Sequence, residues 1–309
     1  MDRERNGNPG STPSPLVEAC MVLYRSTHCI EESLASLPAP HGAVLVENLP
    51  GDGSSEAALR VRPDAKVIRP GRNLGFGGGC NLAFRHSTAP YLLLLNPDAS
   101  LHRDCLDVLV AHMEANPRCG AAGPLVLRST DGTIDSAGME RLAPGWTRDR
   151  NRGLPSSSAP EGGSVQCLSA GVLLLRRSAL EDAGRFPDAF WTDLFLYSED
   201  VELSFALHRR GWDLHFEPRA LAFHAVGGSN PPRRTIRAMS ARNRLLTGMV
   251  HSTRKDLIHL PTLLRWAWRI TLDLPRLVDN FLLPELRRCF WPLVGQVGER
   301  RRNLRTTDS

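Results

Sequence analysis

The run Tyr91–Leu95 constrains the fold more than any other stretch of the sequence. It reads YLLLL, and its four consecutive leucines leave no polar face. Such a run is typical of a strand buried on both sides in the middle of a parallel sheet. The run ends in Asn96-Pro97-Asp98. Because ligands of open α/β sheets collect beyond the carboxyl ends of their strands, the sequence predicts chemistry around Asp98.

Short apolar runs alternate with helix-like stretches over the first two thirds of the chain. This alternation is typical of βαβ units and predicts an α/β fold with a mainly parallel central sheet flanked by helices. The predicted strands include residues 20–24, 43–46, 67–68, 91–95, 121–127 and 213–216, and the predicted helices include residues 31–37, 81–86, 105–116 and 199–210. Three prolines within residues 141–165 predict a mobile loop there.

The chain divides into three predicted parts. Residues 1–15 form a disordered lead, residues 16–232 a catalytic α/β domain, and residues 233–309 a basic helical extension that contains tryptophan. The extension has 16 Lys and Arg against 6 Asp and Glu, a balance of +10. Since the whole chain has a net charge of +5, residues 1–232 have −5. A basic extension on an acidic body indicates an anionic partner: a membrane surface, a nucleic acid or a phosphorylated substrate.

The cysteines and the hydropathy of the chain indicate a cytoplasmic protein. Seven cysteines are scattered without a C-x-x-C pair, which favours a reducing compartment. The N-terminus has no apolar stretch behind its charges and does not resemble a secretory signal. Charges or prolines interrupt every window before the roughly 18 apolar residues that a spanning helix needs, so the sequence predicts no membrane span.

A glycine-rich stretch, Asn73 to Asn81, reads NLGFGGGCN between a predicted strand and a predicted helix. Without Cβ atoms, backbone N–H groups in such a stretch can approach a phosphate or a sugar. Cys80 in place of a third glycine excludes the dinucleotide fingerprint, and the absence of a following lysine excludes a P-loop. A flexible turn is the alternative interpretation.

Three further positions have side chains suited to catalysis or metal binding. Asp98 is a candidate ligand for a divalent cation, with a turn cap as the alternative. Glu199-Asp200 begins a helix and offers a general base, with ordinary first-turn charges behind a Ser198 cap as the alternative. His224 is a candidate metal ligand, although a single histidine is more often structural.

Taken together, these elements resemble glycosyltransferase family 2, and in particular its rhamnosyltransferase-like branch. The order is N-x-G-F-G, an apolar strand, N-P-D, a small-residue strand followed by R-R, E-D at a helix start, and His with a trailing G-x-S. The matching pieces are Tyr24-Arg25-Ser26, Val46-Glu47-Asn48, Asp52-Gly53-Ser54, Asn73 to Asn81, Asn96-Pro97-Asp98, Ala170-Gly171, Arg176-Arg177, Glu199-Asp200, His224 and Gly227-Gly228-Ser229.

The resemblance implies a GT-A fold, a nucleotide-diphospho-sugar donor, a Mg²⁺ or Mn²⁺ ion and inversion at the anomeric carbon. It gives Asp200 the role of catalytic base and Asp98 and His224 the role of metal ligands. The implied donor-binding residues are Tyr24, Glu47, Asn73, Gly75, Gly77, Asn81, Asn96 and Asp98. The first carboxylate of a D-x-D motif is missing, with Asn96 in its place. Two further departures stand out: Glu47 replaces the usual Asp near the nucleotide base, and the segment from Phe186 to Tyr197 is a few residues longer than the family's usual approach to E-D.

The expected function is transfer of a sugar to a hydroxyl of a cell-envelope glycan or a lipid-linked saccharide. The resemblance favours L-rhamnose from dTDP-rhamnose. A rival from another class is a catalytically silent GT-A-like module that binds nucleotide sugars or acts as a scaffold. Nucleic-acid binding is disfavoured, because the body is acidic and no basic-aromatic stacking sheet is predicted.

The extension and the start of the E-D helix predict where the acceptor binds. Glu199, Arg242 and Arg244 are candidate ligands for the acceptor or its diphosphate, with a solvated basic face as the alternative. Tryptophans beside arginines in residues 263–269 and 287–291 predict a helix at an anionic membrane interface, on the cytoplasmic face. Packing of these helices on the catalytic domain, or on a second subunit of an oligomer, is the alternative.

Overall fold

A computed structural model describes residues 15–225, 233–253, 256, 260–282 and 292–302. The strands are β1 (Val17–Leu23), β2 (Gly42–Glu47), β3 (Lys66–Ile68), β4 (Tyr91–Leu95), β5 (Ala99–Leu101), β6 (Cys119–Arg128), β7 (Ile134–Ser136), β8 (Met139–Ala143), β9 (Trp146–Asp149), β10 (Gly163–Ser164), β11 (Val172–Arg176) and β12 (Asp213–His224). The α-helices with assigned bounds are α1 (Ile30–Ala35), α2 (Ser54–Val61), α3 (Gly75–Arg85), α4 (Cys105–Ala115), α5 (Arg177–Asp182), α6 (Glu199–Arg209), α7 (Arg233–His251) and α8 (Leu260–Leu282). Residues 292–302 are also helical.

The central sheet contains ten strands in the described part of the chain. Its order is β10-β12-β6-β11-β4-β1-β2-β3, with β5 added to β12 and β7 added to β6. Strands β4, β1, β2 and β3 run parallel, β12 runs parallel to β6, and β11 is antiparallel between β4 and β6. The predicted α/β fold with a mainly parallel sheet is confirmed. The carboxyl ends of β1, β2 and β4 therefore meet at one edge.

Strand β4 lies in the middle of the hydrophobic core, as its sequence predicts. Leu93 and Leu95 pack into the core on the side of α1, α2 and α4, whereas Leu92 and Leu94 pack into the core on the side of α3, α5 and α6. All four leucines are at most 1% exposed. Burial on both faces explains why the strand can have no polar position.

The prediction of a mobile loop over residues 141–165 is wrong. Strands β8 and β9 form a hairpin in this region, and the short strand β10 pairs with β12. Trp146 is buried beneath the C-terminal helices, where its Nε1–H donates to Asp273 of α8 at 3.0 Å. The prolines indicate turns correctly, but the hairpin is held by a residue more than a hundred positions away.

The glycine cluster is part of helix α3 instead of a turn before it. The Asn73 side-chain oxygen accepts a hydrogen bond from the Gly75 N–H at 2.8 Å, and the helix starts there. A Cβ atom at Gly79 would lie 2.7 Å from a methyl carbon of Val22. The missing side chains thus let α3 pack closely against β1.

The C-terminal extension packs on the catalytic domain in the part that the structure describes. Trp191 and Leu194 form a buried cluster with Leu246 of α7 and with Leu293 and Val297 of the helical residues 292–302. The boundary between residues 232 and 233 stays a prediction, and residues 1–14 of the predicted lead lie outside the described residues. Among the described helices, none combines the length and the hydropathy that a bilayer span requires.

Candidate active site

A cleft of about 320 Å³ lies at the carboxyl end of β4, beside the first turn of α6. Its lining includes Asn96, Asp135, Asp149, Asp200 and His224. Residues predicted from widely separated motifs therefore share one cavity. The cleft lies where the parallel-sheet rule places ligands.

Asp98 and His224 come together because β5 folds back onto the end of β12. The two strands are antiparallel, with Ala99 opposite His224, and the Ala225 N–H donates to the Asp98 carbonyl at 2.8 Å. The His224 Nε2 atom lies 3.2 Å from Asp98 Oδ1, and its Nδ1 atom lies 2.8 Å from Asp135 Oδ2. One imidazole thus bridges two carboxylates.

The charges of this triad reinforce one another. Burial by itself would lower the pKa of His224, but its hydrogen bonds to Asp135 and Asp98 outweigh burial and raise the pKa to about 9. Burial would raise the pKa of the Asp98 carboxyl, and the hydrogen bond and charge of His224 lower it below its usual value. The imidazole is therefore cationic at neutral pH in the structure as it stands.

Two of these three residues could ligate a divalent cation, and the third orients one of them. Asp98 Oδ1 and His224 Nε2 are close enough, at 3.2 Å, to share one ion, and both atom types are ligands of Mn²⁺ and related metals. The Asp135 carboxylate on Nδ1 is the partner that metal-bound histidines usually have, and it orients Nε2 toward the ion. A bound cation would take the place of the Nε2 proton.

Asp200 lies at the second position of α6 and lines the cleft. Its Oδ1 accepts the Val201 N–H at 2.8 Å, and its Oδ2 accepts the Ala170 N–H at 3.2 Å. Burial raises its pKa to about 6, and these backbone hydrogen bonds limit the rise. A carboxylate of this basicity suits a general base near neutral pH.

The neighbouring Glu199 is a neutral acid in this environment. It is 6% exposed and lines the same cleft, and its Oε2 atom has no hydrogen-bond partner among the described residues. Burial and the adjacent charge of Asp200 raise its pKa to about 8. At pH 7 Glu199 therefore holds a proton that it can donate to a bound group.

The segment before α6 enters the helix in an unusual conformation. Tyr197 and Ser198 both have left-handed backbones, with φ of 70° and 71°. The Ser198 side chain makes no capping hydrogen bond, although Glu199 and Asp200 do lie in the first turn of α6. Asn243 of α7 donates to the carbonyl oxygens of Leu196 and Tyr197 at 2.9 and 2.8 Å. The strained backbone of Tyr197 and Ser198 therefore lies beside the cleft, and Asn243 of the extension holds it in place through hydrogen bonds.

The nucleotide-side residues lie at the same sheet edge but do not line this cleft. Tyr24 follows β1, and Glu47 ends β2, next to it in the sheet. Glu47 is buried, and its carboxylate accepts the Ser55 hydroxyl at 2.5 Å and pairs with Arg69 at 3.1 Å. With these partners Glu47 orders the edge of the sheet, and its contact with a nucleotide base stays a prediction.

Three other predicted donor-binding residues have structural contacts. A Cβ atom at Gly75 would lie 2.4 Å from the Phe195 carbonyl oxygen, and one at Gly77 would lie 2.9 Å from Phe190 Cβ. Asn81 is buried, and its amide exchanges two hydrogen bonds of 2.9 Å with the Phe190 backbone. Close packing accounts for these residue types, and their role in donor binding stays a prediction.

The structure does not bring Arg242 or Arg244 to the cleft. Arg242 is 2% exposed and donates to the Leu194 carbonyl at 3.2 Å. Arg244 pairs with Asp273 of α8 at 2.7 Å. Both arginines fasten α7 to its neighbours, because a helix packed on two sides must satisfy the cations that it buries.

Sequence reasoning missed Asp135 and Asp149. Asp135 lies in β7, which returns beside β6 after a turn at Asp131-Gly132. An Asp-Gly pair between two strand-like runs is a hairpin signal, so this strand was predictable. That its carboxylate reaches His224 was not, because the contact depends on β6 bridging β7 and β12.

Comparison with known proteins agrees with this geometry. The model of glycosyl transferase family 2 matches residues 19–184, more than half of the chain. The chain belongs to this family. It is therefore a glycosyltransferase, and the resemblance predicted from its motifs is confirmed.

Three proteins are similar to this chain in sequence or in fold. An N-acetylglucosaminyl-diphospho-decaprenol L-rhamnosyltransferase of Mycobacterium tuberculosis is 28% identical over 235 residues, which are 66% of this chain and 74% of the relative. A mannosyltransferase of Pyrobaculum calidifontis, solved with GDP-Man and Mn²⁺, has a TM-score of 0.54 at 18% identity and covers 99% of this chain and 89% of its own. TarS of S. aureus, residues 1–349 with UDP-GlcNAc, has a TM-score of 0.55 at 15% identity, with coverages of 94% and 90%. The two structures share the fold, which confirms the GT-A prediction.

Proposed function

We propose that this glycosyltransferase moves a sugar from a nucleotide-diphospho-sugar to a hydroxyl of a lipid-linked saccharide, with inversion. One observation carries the proposal. Asp200 and His224, which is bonded to Asp98, line a single cleft at the carboxyl edge of the sheet. A sugar bound in this cleft would therefore have both a general base and a binding site for its leaving diphosphate within reach.

Asp200 is the base in this mechanism. A carboxylate with a pKa of about 6 is ionised at pH 7 and accepts the proton of the acceptor hydroxyl as that oxygen attacks the anomeric carbon. The bond to the diphosphate breaks in the same displacement. No covalent enzyme intermediate is needed, and the anomeric configuration inverts.

Asp98 and His224 would hold a Mg²⁺ or Mn²⁺ ion. When bound, the cation stabilises the negative charge that develops on the leaving diphosphate. Asp135 keeps the His224 ring in the orientation that this binding needs. Neutral Glu199, in the same cleft, adds a hydrogen-bond donor without adding negative charge next to the diphosphate.

The finer substrate assignment rests on the mycobacterial relative. That protein is named for L-rhamnose transfer to N-acetylglucosaminyl-diphospho-decaprenol. For this chain we propose L-rhamnose from dTDP-rhamnose as the donor group and an N-acetylglucosaminyl diphospholipid as the acceptor.

Replacement of the base tests the function. We expect Asp200→Asn to lower kcat by roughly 10²- to 10⁴-fold, the usual effect of a lost general base, while dTDP binding persists. Transfer is measured by thin-layer or mass analysis of the acceptor with Mn²⁺ and several nucleotide sugars. An equal lack of turnover in wild type and variant across these donors would favour the silent nucleotide-sugar-binding module.

We also propose that the enzyme works at an anionic membrane surface on the cytoplasmic side. On helix α8, Asp273 and Leu277 face inward and are 3% and 7% exposed, whereas several other apolar residues face outward. Leu264, Trp268 and Leu272 repeat every four residues on this outer face and are 61%, 63% and 48% exposed. Arg265 is exposed along one side of this apolar stripe. An apolar stripe bordered by a cation suits a bilayer interface with anionic lipids.

Two parts of the predicted membrane-binding sequence, the side chain of Trp266 and residues 287–291, lie outside the described residues. The stripe on α8 can be tested without them. We expect Leu264→Ser to weaken binding to phosphatidylglycerol vesicles at low salt by roughly tenfold, the equivalent of one buried leucine. Leu16→Ser, which changes an exposed leucine in another region, is the matched control. Equal vesicle binding by both variants and wild type would exclude this face.

A further inference from the structure

A second and larger cavity adjoins the cleft. It is an open groove of about 980 Å³, formed mainly by side chains of the β8–β9 hairpin and of the chain that follows it. Asp149 and Arg152 line both the groove and the cleft, so the two spaces are neighbours. Arg269 of α8 closes the groove on the side of the extension.

The groove is positively charged. Its lining contains four arginines against two carboxylates: Arg148, Arg150, Arg152 and Arg269, with Glu140 and Asp149. Two of the arginines have carboxylate partners, because Arg148 bonds to Glu140 and Arg152 bonds to Asp149 and Asp135. Arg269 has no ion pair among the residues that the structure describes. The lining therefore has a net charge of +2 in a cavity next to the reaction site.

Arg150 has donor capacity that the protein does not use. Its Nε–H donates to the Ala137 carbonyl at 2.9 Å, and its guanidinium lies over the Phe216 ring at 5.0 Å from the centroid. Its Nη2 atom is buried and has no hydrogen-bond partner within the described part of the chain. A buried unpaired donor costs about 1–3 kcal/mol, and an anion bound beside it would offset that cost.

We propose that this groove binds the diphosphate of the lipid-linked acceptor while the acceptor sugar occupies the cleft. Guanidinium groups bind phosphate oxygens through paired, charge-assisted hydrogen bonds, and several of them converge here. The inference rests on the proposed function and names its acceptor subsite. It replaces Arg242 and Arg244, which are engaged in packing α7, by arginines that face an open space.

The groove lies between the cleft and α8, as the diphosphate of the acceptor lies between its sugar and its lipid. The cleft contains the base for the sugar hydroxyl, the groove lies next to it, and Arg269 belongs to the helix whose apolar stripe faces outward. Sugar, diphosphate and lipid would thus meet the cleft, the groove and α8 in turn. A neutral saccharide without diphosphate would use the cleft alone.

The test removes two groove arginines that do not line the cleft. Arg148→Gln/Arg269→Gln lowers the charge by two without touching Arg152, which holds Asp135. Arg60→Gln/Arg103→Gln is the matched control, since both residues are exposed elsewhere, with side chains 66% and 85% accessible. We expect the acceptor KM to rise roughly tenfold in the groove variant only, the effect of about 1.4 kcal/mol of lost binding.

Two acceptors and two kinetic constants separate the alternatives. The rise in KM should appear with a short-chain N-acetylglucosaminyl diphospholipid and be absent with an octyl N-acetylglucosaminide that has no diphosphate. The donor KM should not change, and Arg148→Lys/Arg269→Lys should recover part of the loss. A rise in the donor KM would instead assign the groove to the donor diphosphate. Lost vesicle binding with an unchanged acceptor KM would assign it to lipid headgroups, and either result overturns the proposal.

Direct binding gives an answer that does not depend on turnover. Inorganic pyrophosphate is titrated calorimetrically into the full-length protein in EDTA, so that no metal recruits it to Asp98 and His224. We expect wild type and the control variant to bind it alike and the groove variant to bind it roughly tenfold more weakly. Equal affinity in all three proteins overturns the groove site. Because no transfer occurs, this result stands even if the proposed sugar transfer fails.

Discussion

Asp200 and Glu202, two of the three acidic residues of helix α6, are two positions apart, and their environments differ in one respect. Asp200 faces the cleft, and burial raises its pKa to about 6. Burial would also raise the pKa of Glu202, but the charge of Arg185 and the hydrogen bond of His251 outweigh burial and lower it to about 2. Burial is common to both, so the difference comes from the partner. The protein neutralises the carboxylate that holds the fold and leaves the one in the cleft without a cation.

The contrast also separates two surfaces of the helix. Glu202 is 0% exposed and contacts Arg185 and His251, the latter at the end of α7. Within the described part of the chain, Asp200 accepts hydrogen bonds from the backbone N–H groups of Ala170 and Val201. Within one turn of α6, Glu202 thus joins the extension to the core, and Asp200 presents a base to the cleft. The two tasks require opposite pKa shifts.

Removal of the charge at Glu202 should give the largest effect on stability. Glu202→Gln leaves Arg185 buried without a counter-charge, and we expect the free energy of unfolding to fall by about 3 kcal/mol. Asp200→Asn should leave it unchanged or raise it, since it removes a carboxylate whose charge is unfavourably buried. Urea denaturation of both variants measures this. Equal losses in the two variants would remove the distinction between the two surfaces.

The same pair predicts how acid affects stability. The folded-state pKa of Glu202 is lowered, so its stabilisation is fully present above about pH 4.5 and is lost as the pH falls toward 2. Glu202→Gln should therefore flatten the acid limb of a plot of unfolding free energy against pH. The Arg103→Gln variant, which changes an exposed ion pair, should keep the wild-type limb.

The pH dependence of the rate tests the role of Asp200. A base with a pKa of about 6 must be ionised, so we expect kcat/KM to fall about tenfold for each pH unit below 6 and to level off near pH 7, before Glu199 ionises. Initial rates between pH 4.5 and 8 measure the inflection. It should disappear from the residual activity of Asp200→Asn. An inflection that survives in this variant would belong to another group.

The smallest expected effect is that of Glu199→Gln. Because Glu199 is already protonated at pH 7, glutamine keeps its neutral charge and its ability to donate, and kcat should change by less than about fivefold, the worth of one hydrogen bond. Wild type and variant should diverge above pH 8, where only the glutamate ionises. A large loss at pH 7 would show that Glu199 acts as an anion and that burial does not separate it from Asp200.

Much of the fold was predictable because local pattern and tertiary position agree. The strand β4 and the helices α4 and α6 begin or end within a residue of the predicted bounds, since their apolar periodicity is also the pattern of their burial. The hairpin at residues 139–149 was missed for the opposite reason. Its proline and glycine content predicts a loop, and only the helix packed above Trp146 makes it a fixed structure.

The candidate site shows the same division. Asp98 and His224 were selected because each follows a predicted strand, and Asp200 because it begins a predicted helix; the fold places Asp200 and the bonded pair Asp98 and His224 at one cleft. Asp135 has no comparable signal for its role. Its bond to His224 joins residues 89 positions apart through β6, and no local pattern specifies such a contact.

The sequence by itself determined the class of fold, the family and the kinds of side chain available for catalysis, because periodicity and motif order are local properties of the chain. Only the tertiary structure decided which cations face an open space. Arg242 and Arg244 occupy a basic run as conspicuous as that around Arg148 to Arg152, yet the first pair is used in packing and the second group lines a groove. The sequence specifies which residues are charged. Their burial and their ion-pair partners determine what each charge does, and both depend on how distant elements pack together.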